Sequence, residues 1–218
     1  MRPPALRRRS PCRDVPMVIR IKVAESEREV DDALWVRHEV FVVEEGKLGG
    51  KPLASERIVD RFDAFPGVYN LIAYAGAEPI ATLRLVREGV LGLPAEEHFD
   101  FSGYREAIAR ERSGRAVFGS AGMLAVRQAW RGRRDVVRGM FRVAAGVSVT
   151  AGITHLLVVV DHHSARMYRR FGFKALAERF WVEAIGSFVV PLAAGVARFH
   201  AWAFADSRET GLPSEDRL

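Results

Sequence analysis

The sequence predicts one α/β domain in which helices cover both faces of a mixed sheet. Three observations point there. Apolar residues recur at helical spacing in some segments and alternate in others, so the period switches repeatedly along the chain. The segments follow the order β-α-β-β-α-β-α-β-α-β-β. With 218 residues and 49% hydrophobic content, the chain can bury one full core.

The first strand is "VIRIKVA" from Val18, where apolar and charged residues alternate. A helix follows. Ser26 is its N-cap and Glu29 stands three residues on, which is the capping-box spacing. Val30, Leu34, Val36, Val40 and Phe41 give its apolar positions, and it ends near Gly46, with His38, Glu44 and Glu45 solvated. Residues 47–55 are predicted loop. "NLIAYAGAEPIATLRLVREG" reads as a hairpin turning at Ala75 to Glu78, and residues 99–112 read as a helix. "RAVFGSAGMLAVR" is a strand whose Gly119 and Gly122 suggest a bulge or a close backbone approach. Val136, Val137, Met140, Val143, Ala144 and Val147 then form a helical stripe that ends at Gly152. "THLLVVV" is an apolar run of the kind buried on both faces, "SARMYRRFG" is a short helix, and two further strands close the domain.

Several function classes are excluded at this point. No run of eighteen apolar residues occurs, and "AIGSFVVPLAAGVA" is short and interrupted by Pro191, so no membrane span is expected. A lone cysteine, Cys12, allows no internal disulfide and no thiolate metal site, which fits a cytoplasmic protein. His162 and His163 lack a second ligand pair at zinc spacing, so no metal is expected. Residues 1–16 are rich in Pro and Arg, without an apolar period or a secretory h-region. They read as a disordered basic leader, with Met17 as an alternative start. Five arginines against Asp14 put +4 of the net +6 there, and the body carries only +2. A nearly neutral body is not a nucleic-acid binder. The domain is therefore 17–205, followed by a frayed acidic tail over 206–218.

The chemistry concentrates in "WRGRRDVVRGMF". A strand running into this turn puts Gly132 to Asp135 at a helix N-terminus, where unpaired N–H groups favour an anion, and Arg131, Arg133 and Arg134 add positive charge. A solvated basic helix start is the alternative.

The order "MLAVRQAWRGRRDVVRGMF", "THLLVVV", "SARMYRRFGF" resembles the GNAT acyltransferase superfamily, through the turn at Arg131 and through Tyr168, Gly172 and Phe173. The resemblance implies a mostly antiparallel sheet of about seven strands. It also implies an acyl thioester whose pantetheine arm lies along Leu124, Ala125 and Val126, and a phosphate group on Arg131, Gly132, Arg133, Arg134 and Val136. Tyr168 takes the place of the family's general acid. Its alternative is a core ring. Where the family has glycines the turn has Arg134 and Val136, whose bulk crowds a pyrophosphate.

The first half is similar to acyl-homoserine-lactone (autoinducer) synthases and long-chain N-acyl amino acid synthases, through Arg37, Phe41, Asp60, Asp63 and Arg84. That likeness implies an acyl carrier protein donor, with one phosphate gripped by arginines in place of a full backbone cradle. It also implies catalytic carboxylates in Asp60 and Asp63, and an acceptor site at Arg37, Phe41 and Arg84, where the arginines could hold a carboxylate bidentately. If the four charges only pair with one another, they are a structural network instead. Ser120 and Met123 stand where autoinducer synthases carry Glu and Arg, so lactone formation is not expected. The expected protein is a GNAT-like N-acyltransferase joining a medium or long acyl chain to an amino acid or similar amine. An acetyl-CoA-dependent acetyltransferase and a non-catalytic binding module are the alternatives.

Overall fold

A computed structural model describes residues 18–47, 55–111 and 115–205. The predicted leader and tail, Cys12 and most of the predicted loop after Lys47 lie outside the described residues.

The chain forms β1 (Ile19–Val23), α1 (Glu27–His38), β2 (Val68–Ala75), β3 (Glu78–Arg87), α2 (Ser102–Glu111), β4 (Phe118–Val126), α3 (Arg134–Thr150), β5 (His155–Asp161) and α4 (His162–Arg170). It continues with β6 (Lys174–Ala175), β7 (Phe180–Val182), β8 (Ser187–Gly195) and α5 (Val196–Ala203). Eight strands build one sheet in the order β1-β2-β3-β4-β5-β8-β6, with β7 also paired to β8. All pairs are antiparallel except β4 and β5, which α3 joins by a crossover. The expected mixed, mostly antiparallel sheet is therefore present.

Side-chain alternation decides what covers each face. On β2, Leu71 and Ala73 share a core with Val136, Met140 and Phe141 of α3. Ile72 and Tyr74 point the other way, against Ala33, Val36 and Val40 of α1 and its extension. On β3, Leu83 and Leu85 join the α3 side. The intervening Arg84 is directed toward the α1 side, where it meets a charge cluster.

Local signals behave as the sequence predicts at the start of α1. The Glu29 N–H donates to Ser26 Oγ at 3.3 Å and the Ser26 N–H to Glu29 Oε2 at 3.3 Å. Past His38 the helix widens into a π-helical turn, Glu39–Glu44, before Gly46 ends it at φ +62°. The end of the chain differs from expectation. Three strands follow α4 where two were expected, and "VARFHAWA" leaves the last strand to form α5. Val196, Phe199 and Ala203 bury at helical spacing, so a 3.6-residue period takes over at Gly195. Among the described residues, no helix is long and apolar enough to cross a membrane.

Candidate active site

Strands β4 and β5 pair only at Phe118 with His155 and at Gly119 with Leu156, and then part. Gly119 permits the close approach at that junction: an added Cβ would lie 2.8 Å from Ile153 Cδ1 and 3.1 Å from the Val86 carbonyl. Beyond it, the β3–β4 register slips between Thr82–Ala125 and Arg84–Gly122. One extra residue of β4 is accommodated there, with Met123 at φ +52°. The predicted bulge is thus present, one step before Leu124. The parted strands enclose a cleft of about 720 Å³.

Of the residues expected to bind or react, Phe41, Arg84, Leu124 and Tyr168 line this cleft. Tyr168 is only 2% exposed, its ring packed edge-on against Phe141 and Phe173. Among the described residues its hydroxyl has no hydrogen-bond partner. Burial pushes the phenol well above its ordinary range, so it stays a neutral proton donor. The ring is core, as the alternative reading has it, and the residue also lines the cleft.

The four charged residues of the first half converge and pair with one another, while the buried Arg37 Nε has no partner among the described residues. Arg37 Nη1 donates to both Asp63 oxygens at 3.0 and 3.1 Å, and Nη2 donates to Asn70 Oδ1. Arg84 clasps Asp60 at 2.7 and 2.6 Å and reaches Asp63 Oδ2 at 3.0 Å. The Asp60 N–H also donates to Asp63 Oδ2 at 3.0 Å. Arg37 is 0% exposed and Asp63 7%. Neither these two nor Asp60 lines the cleft. Burial opposes charge on Asp60, but Arg84 and the Phe62 N–H outweigh it and hold the carboxyl below its usual range. Burial likewise opposes Arg84, which its two aspartates nonetheless raise. Asp63 has its lone pairs occupied, and Arg37 cannot reach an acceptor. The arrangement is the self-paired network, with Arg84 alone touching both network and cleft.

The basic turn divides three ways. Arg131 is bound by Glu44 at 2.7 Å and Glu45 at 3.1 Å, and its Nε donates to the Val126 carbonyl at 3.0 Å. Glu44 also accepts from the Gln128 N–H at 2.9 Å, so it and Glu45 are not solvated helix positions but tie α1 to the turn. Arg133 pairs with Asp135 at 2.7 Å in an exposed bridge. Arg134 makes no ion pair among the described residues, and around Gly132 an added Cβ would meet open space. Val136 was expected at the phosphate, yet its side chain is fully buried in the core, because it opens the apolar stripe of α3. Ala125 and Val126 are also core, so only Leu124 of the three strand residues faces the cleft.

Sequence reasoning passed over the cleft's other charged edge, where Lys47, Asp161, His163 and Ser187 meet. Asp161 caps α4 by accepting from the His163 N–H at 3.0 Å, and Ser187 Oγ donates to it at 2.6 Å. The donor atoms of Asp161, His162 and His163 lie within 4.8 Å of one another. An Asp just before a predicted helix was the one available signal.

A sheet parted beside a bulged strand, with a phenol at the opening, is the architecture of a GNAT-type acyltransferase. The family described as "FeeM: N-acyl amino acid synthase FeeM" matches residues 32–194. The chain belongs to that family and is an N-acyltransferase. Solved structures agree on the fold. FeeM, an N-acyl amino acid synthase from uncultured soil microbes, superposes with a TM-score of 0.67 at 12% identity, covering 87% of this chain and 97% of its own. The acyl-homoserine-lactone synthase LasI gives 0.62 at 15%, covering 86% and 94%. MesI, a CoA-dependent acyl-homoserine lactone synthase, gives 0.60 at 15%, covering 88% and 97%. No curated protein sequence matches this chain.

Proposed function

We propose that this N-acyltransferase takes a medium or long acyl chain from the phosphopantetheine arm of acyl carrier protein and forms an amide with an amino acid. The observation that carries the reading is the cleft between β4 and β5, with the Met123 bulge on one wall and, on the other, the Tyr168 hydroxyl, which has no partner among the described residues. The arm enters between the strands and pairs with β4 near Leu124. N–H groups freed by the bulge stabilise the oxyanion as the amine attacks the thioester carbon. The C–N bond forms, the C–S bond breaks, Tyr168 protonates the leaving sulfur, and the proton that the nitrogen sheds restores the phenol.

The choice of carrier protein over coenzyme A rests on the turn. Arg134 stands where a pyrophosphate cradle has glycine, whereas one phosphate needs only the first N–H groups of α3 and a guanidinium. Arg134 supplies it, and Arg133 can exchange its exposed aspartate for the phosphate at little cost. Arg37, Asp60 and Asp63 act indirectly, fixing Arg84 against the cleft. Purified protein is incubated with a pool of the standard amino acids and either long-chain acyl carrier protein or acetyl-CoA, and thiol release is followed. Release with the carrier protein is expected. Release with acetyl-CoA alone would overturn the donor assignment, and release with neither would leave a binding module.

A further inference from the structure

Resting on that acyltransfer reading, we propose that the Lys47–Asp161 edge of the cleft is the acceptor site, built for a zwitterionic amino acid. Asp161 receives the α-ammonium and Lys47 the α-carboxylate. The charged side chains lining the cleft differ in how firmly they are engaged. Arg84 is spent on Asp60 and Asp63. Glu45 is held by Lys47 at 2.9 Å and by Arg131 at 3.1 Å. Asp161 and Lys47 are joined only loosely, at 3.6 Å, which is longer than any other Lys or Arg pair described here. A zwitterion inserted between them exchanges that stretched contact for two short ones, its carboxylate sharing the three donors of Lys47 with Glu45.

Asp161 is placed for this duty. The His163 N–H fixes one oxygen and Ser187 Oγ the other, so the carboxylate is oriented before any ligand arrives. Burial works against its charge, but those two hydrogen bonds and Lys47 outweigh burial and hold it ionised. A carboxylate held this way anchors the ammonium, which passes its extra proton to solvent through the open cleft before the neutral amine attacks. Asp161 begins α4, the helix that carries Tyr168, so the acceptor anchor and the general acid sit on one rigid element. Phe41, Leu124, Ile185 and Val189 line the rest of the cleft and suit an acyl chain or an apolar acceptor side chain.

The test uses Asp161→Asn and Lys47→Gln. Asn caps a helix as well as Asp does, so Asp161→Asn removes charge while keeping the fold. Thiol release from long-chain acyl carrier protein is titrated with two acceptor pools: the standard amino acids, and the primary amines that lack only their α-carboxylate. Asp161→Asn should raise the half-saturating concentration of both pools at least ten-fold while the donor value moves less than two-fold. Lys47→Gln should raise it for the amino acids alone, cutting their advantage over the amines about ten-fold, or ~1.4 kcal/mol. Equal shifts for donor and acceptor, or no shift, would overturn the assignment. Should the wild-type protein turn over no donor, the functional reading fails and melting curves decide the site separately. The amino-acid pool must then stabilise the wild-type protein and not Asp161→Asn; equal stabilisation of both, or of neither, refutes it.

Discussion

Asp63 is where a structural and a catalytic role make opposite predictions. Its carboxylate neutralises two guanidinium groups that the fold keeps from water: Arg37 at 0% exposure and Arg84 at 2%. Replacing it with Ala leaves Arg37 only neutral partners, Asn70 and the Ile58 carbonyl, and leaves the cluster one positive charge in excess. Breaking a buried pair in this way costs about 3–5 kcal/mol, because the stranded charge keeps its desolvation penalty. A domain of this kind has about 5–15 kcal/mol in all. Asp63→Ala should therefore lose a fifth or more of the stability, seen as a lower urea midpoint at unchanged slope in far-ultraviolet circular dichroism.

Two controls make the number interpretable. Asp31 pairs with Arg57 at 2.6 Å but is 54% exposed, so Asp31→Ala should cost no more than about 1 kcal/mol. The double variant Arg37→Met, Asp63→Ala removes the stranded charge together with its partner. It should be more stable than Asp63→Ala alone, a coupling readable from a double-mutant cycle. Thiol release per folded molecule should stay within a few-fold of wild type for Asp63→Asn. A stability loss under about 1 kcal/mol, together with a collapse in rate, would refute the structural role and restore Asp63 to the acceptor chemistry.

Further expectations follow from the same geometry. Tyr168→Phe keeps the ring among Phe141 and Phe173 but removes the proton donor, so the rate should fall roughly a hundred- to ten-thousand-fold with the melting temperature little changed. An unchanged rate would leave the ring a core residue only. Arg134→Ala should raise the donor half-saturating concentration about ten-fold at low salt, and the difference should shrink as salt is added, since the side chain is exposed. Gly119→Ala should destabilise by about 1–3 kcal/mol in urea melts, because the new methyl meets the Val86 carbonyl as well as Ile153. Full stability there would show that β4 and β5 can separate without cost.

What the sequence made legible was the set of demands a segment places on itself. Ser26 and Glu29 announce a capping box, the α3 stripe announces a buried helix face, and glycines in a strand announce the junction at Gly119 and the slip beside Gly122. Each signal is local, and each is found. The last elements were harder, because the strand Ser187–Gly195 runs apolar into Val196 and Ala197 of the next helix, and the first polar side chain, Arg198, comes only after the change of period.

How each charge is engaged was not legible, and that is what separates site from scaffold. Arg131 and Arg134 are three residues apart and look equivalent in the string. Arg131 is claimed by Glu44 and Glu45, more than eighty positions away, while Arg134 is left to the solvent side of the helix start. Asp63 and Asp161 divide the same way. One is saturated by two arginines in the core, and the other is steered by Ser187 from a strand that closes the cleft. An ion pair confers a fixed position on a side chain and removes it from ligand chemistry at once. The residues with binding capacity to spare are therefore those whose partners are few, loose or neutral, namely Arg134, Asp161 and the hydroxyl of Tyr168, together with Lys47, which holds Glu45 at 2.9 Å but Asp161 only at 3.6 Å. These four come from three stretches of sequence, Asp161 and Tyr168 sharing α4, and only the closing of the sheet places Lys47 beside that pair on one cleft with the helix start beside its bulged strand.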